Sequence, residues 1–143
     1  QGLYQLRPEL PFSPGAEASG TVLEVGAGVT AVSPGDRVVG FSSHGAMAEQ
    51  FVVPESNVFT IPPELTYEKA AALAMTYGTS YHALVDRARL QPGETLLVTG
   101  AAGGVGSAVV QLGKALGAEV IAAVGTDAKA VVARSLGADH TIV

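Results

Sequence analysis

The chain contains no cysteine and no tryptophan, and it is poor in aromatic and charged residues. Without cysteine it can form neither a disulfide nor a thiolate metal site, which is compatible with a reducing cytoplasm. Only 6% of the 143 residues are aromatic and 15% are charged, but 48% are apolar, which is the composition of a folded protein. No apolar run is long enough for a membrane-spanning helix.

Positive charge is also scarce. Eight Lys and Arg stand against 13 Asp and Glu, for a net charge of −5, and no basic stretch occurs. This balance argues against a nucleic-acid partner. The chain begins without Met and stops inside its last predicted strand, so we expect an internal piece of a longer, cytoplasmic protein.

Glycine is abundant, and its most informative cluster is the run Gly100-Ala-Ala-Gly-Gly-Val-Gly106. The apolar Leu96–Val98 before it predicts a buried strand, and helical spacing follows from Val105. Gly103 and Gly106 match the second and third glycines of the dinucleotide motif G-x-G-x-x-G. The amides of Gly103, Gly104, Val105 and Gly106 are therefore predicted to bind a diphosphate at the helix start. The alternative is a turn that serves only helix–strand packing.

The pattern continues as an alternating α/β unit after the glycine run. A strand over 119–124, a helix over 127–136 that opens on Asp127 as a candidate N-cap, and a strand from His140 are predicted. Together they make βαβαβ, the mononucleotide-binding half of a doubly wound parallel sheet. A Walker phosphate loop is excluded because Gly106 is followed by Ser107 rather than by Lys.

The first half of the chain has a different pattern. Short β-leaning segments without helices between them predict an antiparallel β unit, and they cover residues 17–25, 37–41, 48–53 and 57–61. After Pro62-Pro63 we predict one helix over about 68–73 and a second over 78–88.

Seven motifs are spread over nearly the whole chain, at Pro14–Val22, Val25–Val29, Pro34–Val38, Ala70–Leu73, Tyr77–Ala83, Gly100–Gly106 and Leu136–His140. Together they resemble the medium-chain dehydrogenase/reductase superfamily, in its zinc-independent, zeta-crystallin-like quinone oxidoreductase branch. The resemblance implies an α/β architecture, with part of a GroES-like β-rich catalytic domain at 1–65 and the first βαβαβ half of a Rossmann NAD(P)-binding domain at 66–143.

The resemblance also argues against zinc and for NADPH. Ala16 and Met75 stand where zinc alcohol dehydrogenases of the superfamily carry ligands, and neither is a good zinc donor. The second strand ends in Val124-Gly125-Thr126 without the carboxylate that favours NAD. A quinone oxidoreductase lysine at the place of Lys129 binds the 2′-phosphate, with Gly125 and Thr126 beside it. The alternative for Lys129 is an ordinary surface lysine.

Two further residues are assigned to the chemistry by the same resemblance. Thr79 stands where the family places a hydroxyl beside the nicotinamide, and its alternative role is a helix-start cap. Tyr4 lies in a segment that gives the substrate cleft a tyrosine, although a purely structural tyrosine is an equal alternative. We expect Glu17 to be structural, with Arg37 as a candidate partner, and His82 to be satisfied locally near Asp86.

These expectations together describe an NADPH-dependent, zinc-independent oxidoreductase that reduces a quinone or an activated alkene. The closest enzymatic alternative is an enoyl-thioester reductase of the polyketide synthase type. An alternative of another class is a structural or RNA-binding role, as in zeta-crystallin-like proteins. The expected partners are a small-molecule substrate and further copies of the full-length protein.

Overall fold

The chain is built around two small sheets, one antiparallel and one parallel. The computed structural model describes residue 5 and residues 7–143. These form two compact units, the first ending at Met75 and the second running from Thr76 to Val143. Each unit has its own cluster of buried apolar side chains. The α/β architecture expected from the sequence is confirmed.

The first unit contains the antiparallel sheet. Its central strand, β2, pairs with β1 on one side and with β3 on the other, so that Val39 lies opposite both Ser19 and Phe59. Val39 is buried and forms the small core of this unit with Ile61 and Ala70. The three strands are β1 (Glu17–Thr21), β2 (Arg37–Phe41) and β3 (Val58–Thr60).

One predicted strand of this unit is absent. Residues 48–53 belong to no strand, and β1 stops at Thr21, short of the predicted end at Val25. Both edges of β2 are already occupied, so the segment has no free edge of that strand to pair with. Phe51 and Val53 pack instead against the glycines at 45 and 40. The apolar residues of the segment 48–53 therefore serve side-chain packing, and the segment forms no ladder of backbone hydrogen bonds.

The predicted helices are displaced in the structure. A single turn, α1 (Tyr67–Ala70), is followed by α2 (Ala74–Tyr81) and by a π-helical turn over His82–Arg87. Gly78 therefore lies inside a helix and does not begin one. Glu17 Oε2 accepts a hydrogen bond from the backbone N–H of Met75 at 2.8 Å, which satisfies a donor in the first turn of α2. This cap comes from a residue far away in sequence, so local spacing could not reveal it.

The second unit is the predicted βαβαβ arrangement. Its strands are parallel in the order β4–β5–β6, and Val98 lies opposite Ala122 in the register of the first pair. The helices end at Gly117 and Gly137, whose φ angles of +84° and +108° suit glycine. The elements are β4 (Thr95–Thr99), α3 (Gly104–Ala115), β5 (Glu119–Ala123), α4 (Asp127–Ser135) and β6 (His140–Ile142).

Helices in the described part of the chain are all too short or too polar to cross a bilayer.

A close contact between backbones sets the position of α3. A Cβ atom added at Gly106 would lie 2.3 Å from the carbonyl oxygen of Gly100 and 2.9 Å from the Cα of Ala101. Both are backbone atoms and cannot rotate away. The glycine at 106 is therefore required for the helix to approach the turn after β4, which is the role of the third glycine in the dinucleotide motif.

We expect Gly106→Ala to destabilise the full-length protein by about 1–3 kcal/mol or more, since the new methyl group must displace backbone. Gly104→Ala is the matched control, because a Cβ there would meet only the Thr76 methyl group at an ordinary 3.5 Å. Thermal unfolding of both variants measures the difference. Equal melting temperatures for the two would contradict this account of the turn.

An ion pair lies near the amino ends of β5 and β6 in the parallel sheet. Both carboxylate oxygens of Asp139 lie 2.8 Å from Lys114 Nζ, and one accepts the backbone N–H of Val120 at 2.7 Å. The hydrogen bond from Lys114, together with that from Val120, lowers the pKa of Asp139. The folded state therefore gains stability above the unfolded pKa of about 4, and loses it as the pH falls through the lower folded value.

Asp139→Asn should accordingly lower the melting temperature at neutral pH, and the difference from wild type should shrink as the pH is lowered below about 4. Glu24→Gln serves as control, since Glu24 is exposed, lies in no helix, and makes no hydrogen bond or ion pair in the described part of the chain. A difference for Asp139→Asn that is independent of pH would show that the charge of Asp139 is not what stabilises the fold.

Candidate cofactor site

The glycine run forms a tight turn that leads directly into α3. The N–H of Gly103 bonds to the carbonyl of Gly100 at 2.9 Å, and Ser107 donates the first helical hydrogen bond, to Gly103, at 2.8 Å. The amides of Gly104, Val105 and Gly106 lie between these two donors and have no partner within the helix. Because the positive end of the helix dipole lies at the same place, the turn is suited to bind an anion.

The carboxyl end of β5 and the start of α4 form a second wall. Thr126 is the N-cap of α4, since its hydroxyl oxygen accepts a hydrogen bond from the backbone N–H of Lys129 at 3.3 Å. The prediction that Asp127 is the cap was wrong; Asp127 is the first helical residue. Threonine takes this role because its backbone is extended, with φ −157° and ψ 154°, while Asp127 already lies within the helix.

These two walls enclose a cleft of about 230 Å³ at the carboxyl ends of β4 and β5. Of the predicted cofactor residues, Gly103, Gly125 and Lys129 line it together. Gly100, Ala102 and Val124 line it too and were not predicted individually. The signal that could have found them is topological, because ligands of doubly wound sheets bind outside the carboxyl ends of the strands.

The cleft has one charged side chain in its lining, that of Lys129. Within the described residues, the Lys129 ammonium forms no hydrogen bond and no ion pair, and the residue is exposed. No carboxylate lines the cleft, and a Cβ atom at Gly125 would meet nothing within 4 Å. The cleft is therefore open beside an unpaired positive charge, which suits a phosphate group.

The other predicted site residues lie outside the lining of this cleft. Gly104, Val105 and Gly106 form the first turn of α3, and Thr126 caps α4. Thr79 is exposed on α2, five residues after its start, so the alternative role as a helix-start cap was wrong. Tyr4 lies outside the described residues. The roles of these residues in binding stay predictions.

The charged residues of the first unit do not pair as expected. Arg37 does not bind Glu17; its guanidinium lies 4.3 Å from the centre of the Tyr67 ring and donates to the carbonyl of Leu65. Stacking on an aromatic ring holds the cation without a carboxylate, and Glu17 is used to cap α2. Within residues 5 and 7–143, no three His, Asp or Glu side chains gather as a metal site would require.

His82 is satisfied locally, as predicted. Its Nδ1 lies 2.8 Å from Asp86 Oδ2 on the same helical turn, and both side chains are exposed.

Known proteins share sequence with this chain over nearly its whole length. The model of the alcohol dehydrogenase GroES-like domain matches residues 1–63. A quinone oxidoreductase-like protein 2 homolog from Nematostella vectensis is 50% identical over 99% of the chain. The chain spans 39% of the length of that relative.

Solved structures share the fold as well as the sequence. Escherichia coli quinone oxidoreductase, crystallised with NADPH, is 38% identical with a TM-score of 0.89, over 97% of this chain and 43% of that one. The CurK enoyl reductase is 33% identical with a TM-score of 0.82, over 91% of this chain and 39% of that one. Over nearly its whole length, the chain is therefore similar to proteins of the quinone oxidoreductase branch of the medium-chain dehydrogenase/reductase superfamily.

Proposed function

We propose that the complete protein is an NADPH-dependent oxidoreductase that transfers a hydride to a quinone or an activated alkene without zinc. The observation that carries this proposal is the cleft in which the glycine turn and Lys129 lie together. The NADPH in the structure of the E. coli quinone oxidoreductase supports the choice of cofactor.

The adenosine end of NADPH fits the second wall of the cleft. Lys129 would bind the 2′-phosphate as its counter-ion, and Thr126 could donate its hydroxyl hydrogen, because in the cap only its oxygen is used, as an acceptor. Gly125 leaves space for the ribose. NAD has no 2′-phosphate, so it would leave the Lys129 ammonium without this partner, and the site favours NADPH.

The diphosphate fits the first wall. The unpartnered amides of Gly104, Val105 and Gly106 and the neighbouring Gly103 would hold it at the positive end of α3. This assignment gives the glycine turn a binding role in addition to its packing role at Gly106.

When bound, NADPH supplies the hydride, and the protein supplies orientation and exclusion of water. Thr79 would present its hydroxyl to the nicotinamide end from α2. After hydride addition to a quinone or enone, the substrate oxygen or the adjacent carbon takes up one proton, which Tyr4 or water would donate. In this scheme the protein needs no metal to polarise the substrate.

The second candidate is reduction of an enoyl thioester. The likeness to the CurK enoyl reductase favours it, since 91% of this chain aligns with that enzyme. Both reactions add hydride to a carbon conjugated to a carbonyl, and the two candidates share the same cofactor site.

The proposed function is tested on the full-length protein with NADPH fluorescence and absorbance. Binding should change the fluorescence of NADPH, and adding 1,4-benzoquinone or an α,β-unsaturated ketone should then oxidise it. Faster oxidation with crotonyl-CoA than with either would favour the second candidate. Absence of both binding and oxidation would overturn the proposal.

Lys129→Ala should raise the KM for NADPH by about tenfold or more while changing the KM for NADH by less than about twofold, since one charge-assisted contact to the 2′-phosphate is worth about 1.5–3 kcal/mol. Lys69→Ala, which removes another exposed lysine, is the control. Steady-state kinetics with both cofactors measure the ratio. Equal changes for NADPH and NADH would refute the assignment of Lys129.

A further inference from the structure

Ser80 is a buried polar residue that the proposed chemistry does not use. It lies on α2, its solvent exposure is 0%, and no other polar or charged residue of the described chain is classed as buried. A buried hydroxyl is retained at low cost only where it makes hydrogen bonds. Its partners therefore indicate what it does.

The Ser80 hydroxyl lies between two helices. Its Oγ is 2.7 Å from the carbonyl oxygen of Thr76, one turn earlier in α2, and 3.2 Å from the carbonyl oxygen of Val105 in the first turn of α3. Since a hydroxyl has one hydrogen, the two carbonyls share it. The first contact is local to α2, whereas the second joins α2 to the glycine turn.

The carbonyl of Val105 and the N–H of Gly106 belong to the same planar peptide unit. A hydrogen bond accepted by that carbonyl fixes the plane in which the N–H points. It also polarises the peptide, so that the N–H becomes a stronger donor. The Gly106 N–H has no partner in its own helix and is one of the amides assigned to the diphosphate.

We propose that Ser80 is a positioning residue that orients the Val105–Gly106 peptide toward the diphosphate of the cofactor. The proposal rests on the proposed function, since it assumes that this turn binds a dinucleotide. Ser80 also follows Thr79 directly, so the same hydrogen bond ties the helix that presents Thr79 to the glycine turn. Loss of the hydroxyl should loosen both contacts of the cofactor together.

The test compares Ser80→Ala and Ser80→Cys with wild type in the full-length protein. Alanine keeps the volume of the side chain nearly unchanged but cannot donate, and cysteine keeps a weak donor. Ser135→Ala is the control, because it removes a hydroxyl–carbonyl hydrogen bond of 2.7 Å that lies within α4. Fluorescence titration gives the Kd for NADPH, and competition gives the Kd for adenosine 2′-monophosphate, which has neither phosphate of the bridge and no nicotinamide.

Ser80→Ala should weaken NADPH binding about fivefold to tenfold, the effect of losing one neutral hydrogen bond, with Ser80→Cys between alanine and wild type. Binding of adenosine 2′-monophosphate should change by less than about twofold in every variant, and Ser135→Ala should bind NADPH as wild type does.

Three outcomes would overturn the inference. Unchanged NADPH affinity in Ser80→Ala would show that the hydroxyl serves only α2, through Thr76. Equal weakening of both ligands would indicate a general loosening of the fold. Wild-type protein that binds neither ligand would overturn the proposed function itself, and with it the role of Ser80.

Discussion

The close approach of α3 to the turn after β4 is the contact on which the cofactor site depends. It exists because two positions on the helix lack side chains. At Gly106 the helix lies against the backbone of Gly100, and at Gly113 a Cβ atom would lie 2.6 Å from Leu96 Cδ2 and 3.1 Å from Val120 Cγ2. A larger residue at 106 would meet fixed backbone and move the helix away from the turn, whereas one at 113 would displace the side chains of Leu96 and Val120. The first-turn amides that could hold a diphosphate would move with the helix.

The parallel sheet brings the two walls of the cleft together. Because β4 and β5 are parallel neighbours, Thr99 lies opposite Ala123, and both strands end at the same edge of the sheet. One strand leads to the glycine turn and the other to Gly125 and α4. Gly103 and Lys129, which are more than 20 positions apart in the sequence, thus line the same cleft. The order of the strands is sufficient to explain the location of the site.

Local patterns predicted the second unit well and the first unit less well, for a physical reason. The βαβαβ unit follows from short-range signals: apolar runs, helical spacing, and the glycines at 117 and 137 that end the helices. By contrast, the first turn of α2 donates a hydrogen bond to Glu17, and side chains of the segment 48–53 pack against the glycines at 40 and 45. Local spacing does not reveal such contacts. The buried hydroxyl of Ser80 was missed because tertiary packing decides burial, and Thr126 was missed as the cap of α4 because the sequence does not show its extended backbone angles.

A chain with a net charge of −5 can still offer a site for a ligand that carries several negative charges, because binding depends on the local field. The cleft lacks carboxylates in its lining, holds one unpaired ammonium, and lies where two helices begin. Helix starts contribute positive potential without adding to the net charge. The carboxylates that are fixed by the fold are used elsewhere: Asp139 binds Lys114, and Glu17 caps α2. The distribution of a few charges, more than their sum, therefore determines which anions this fold can bind.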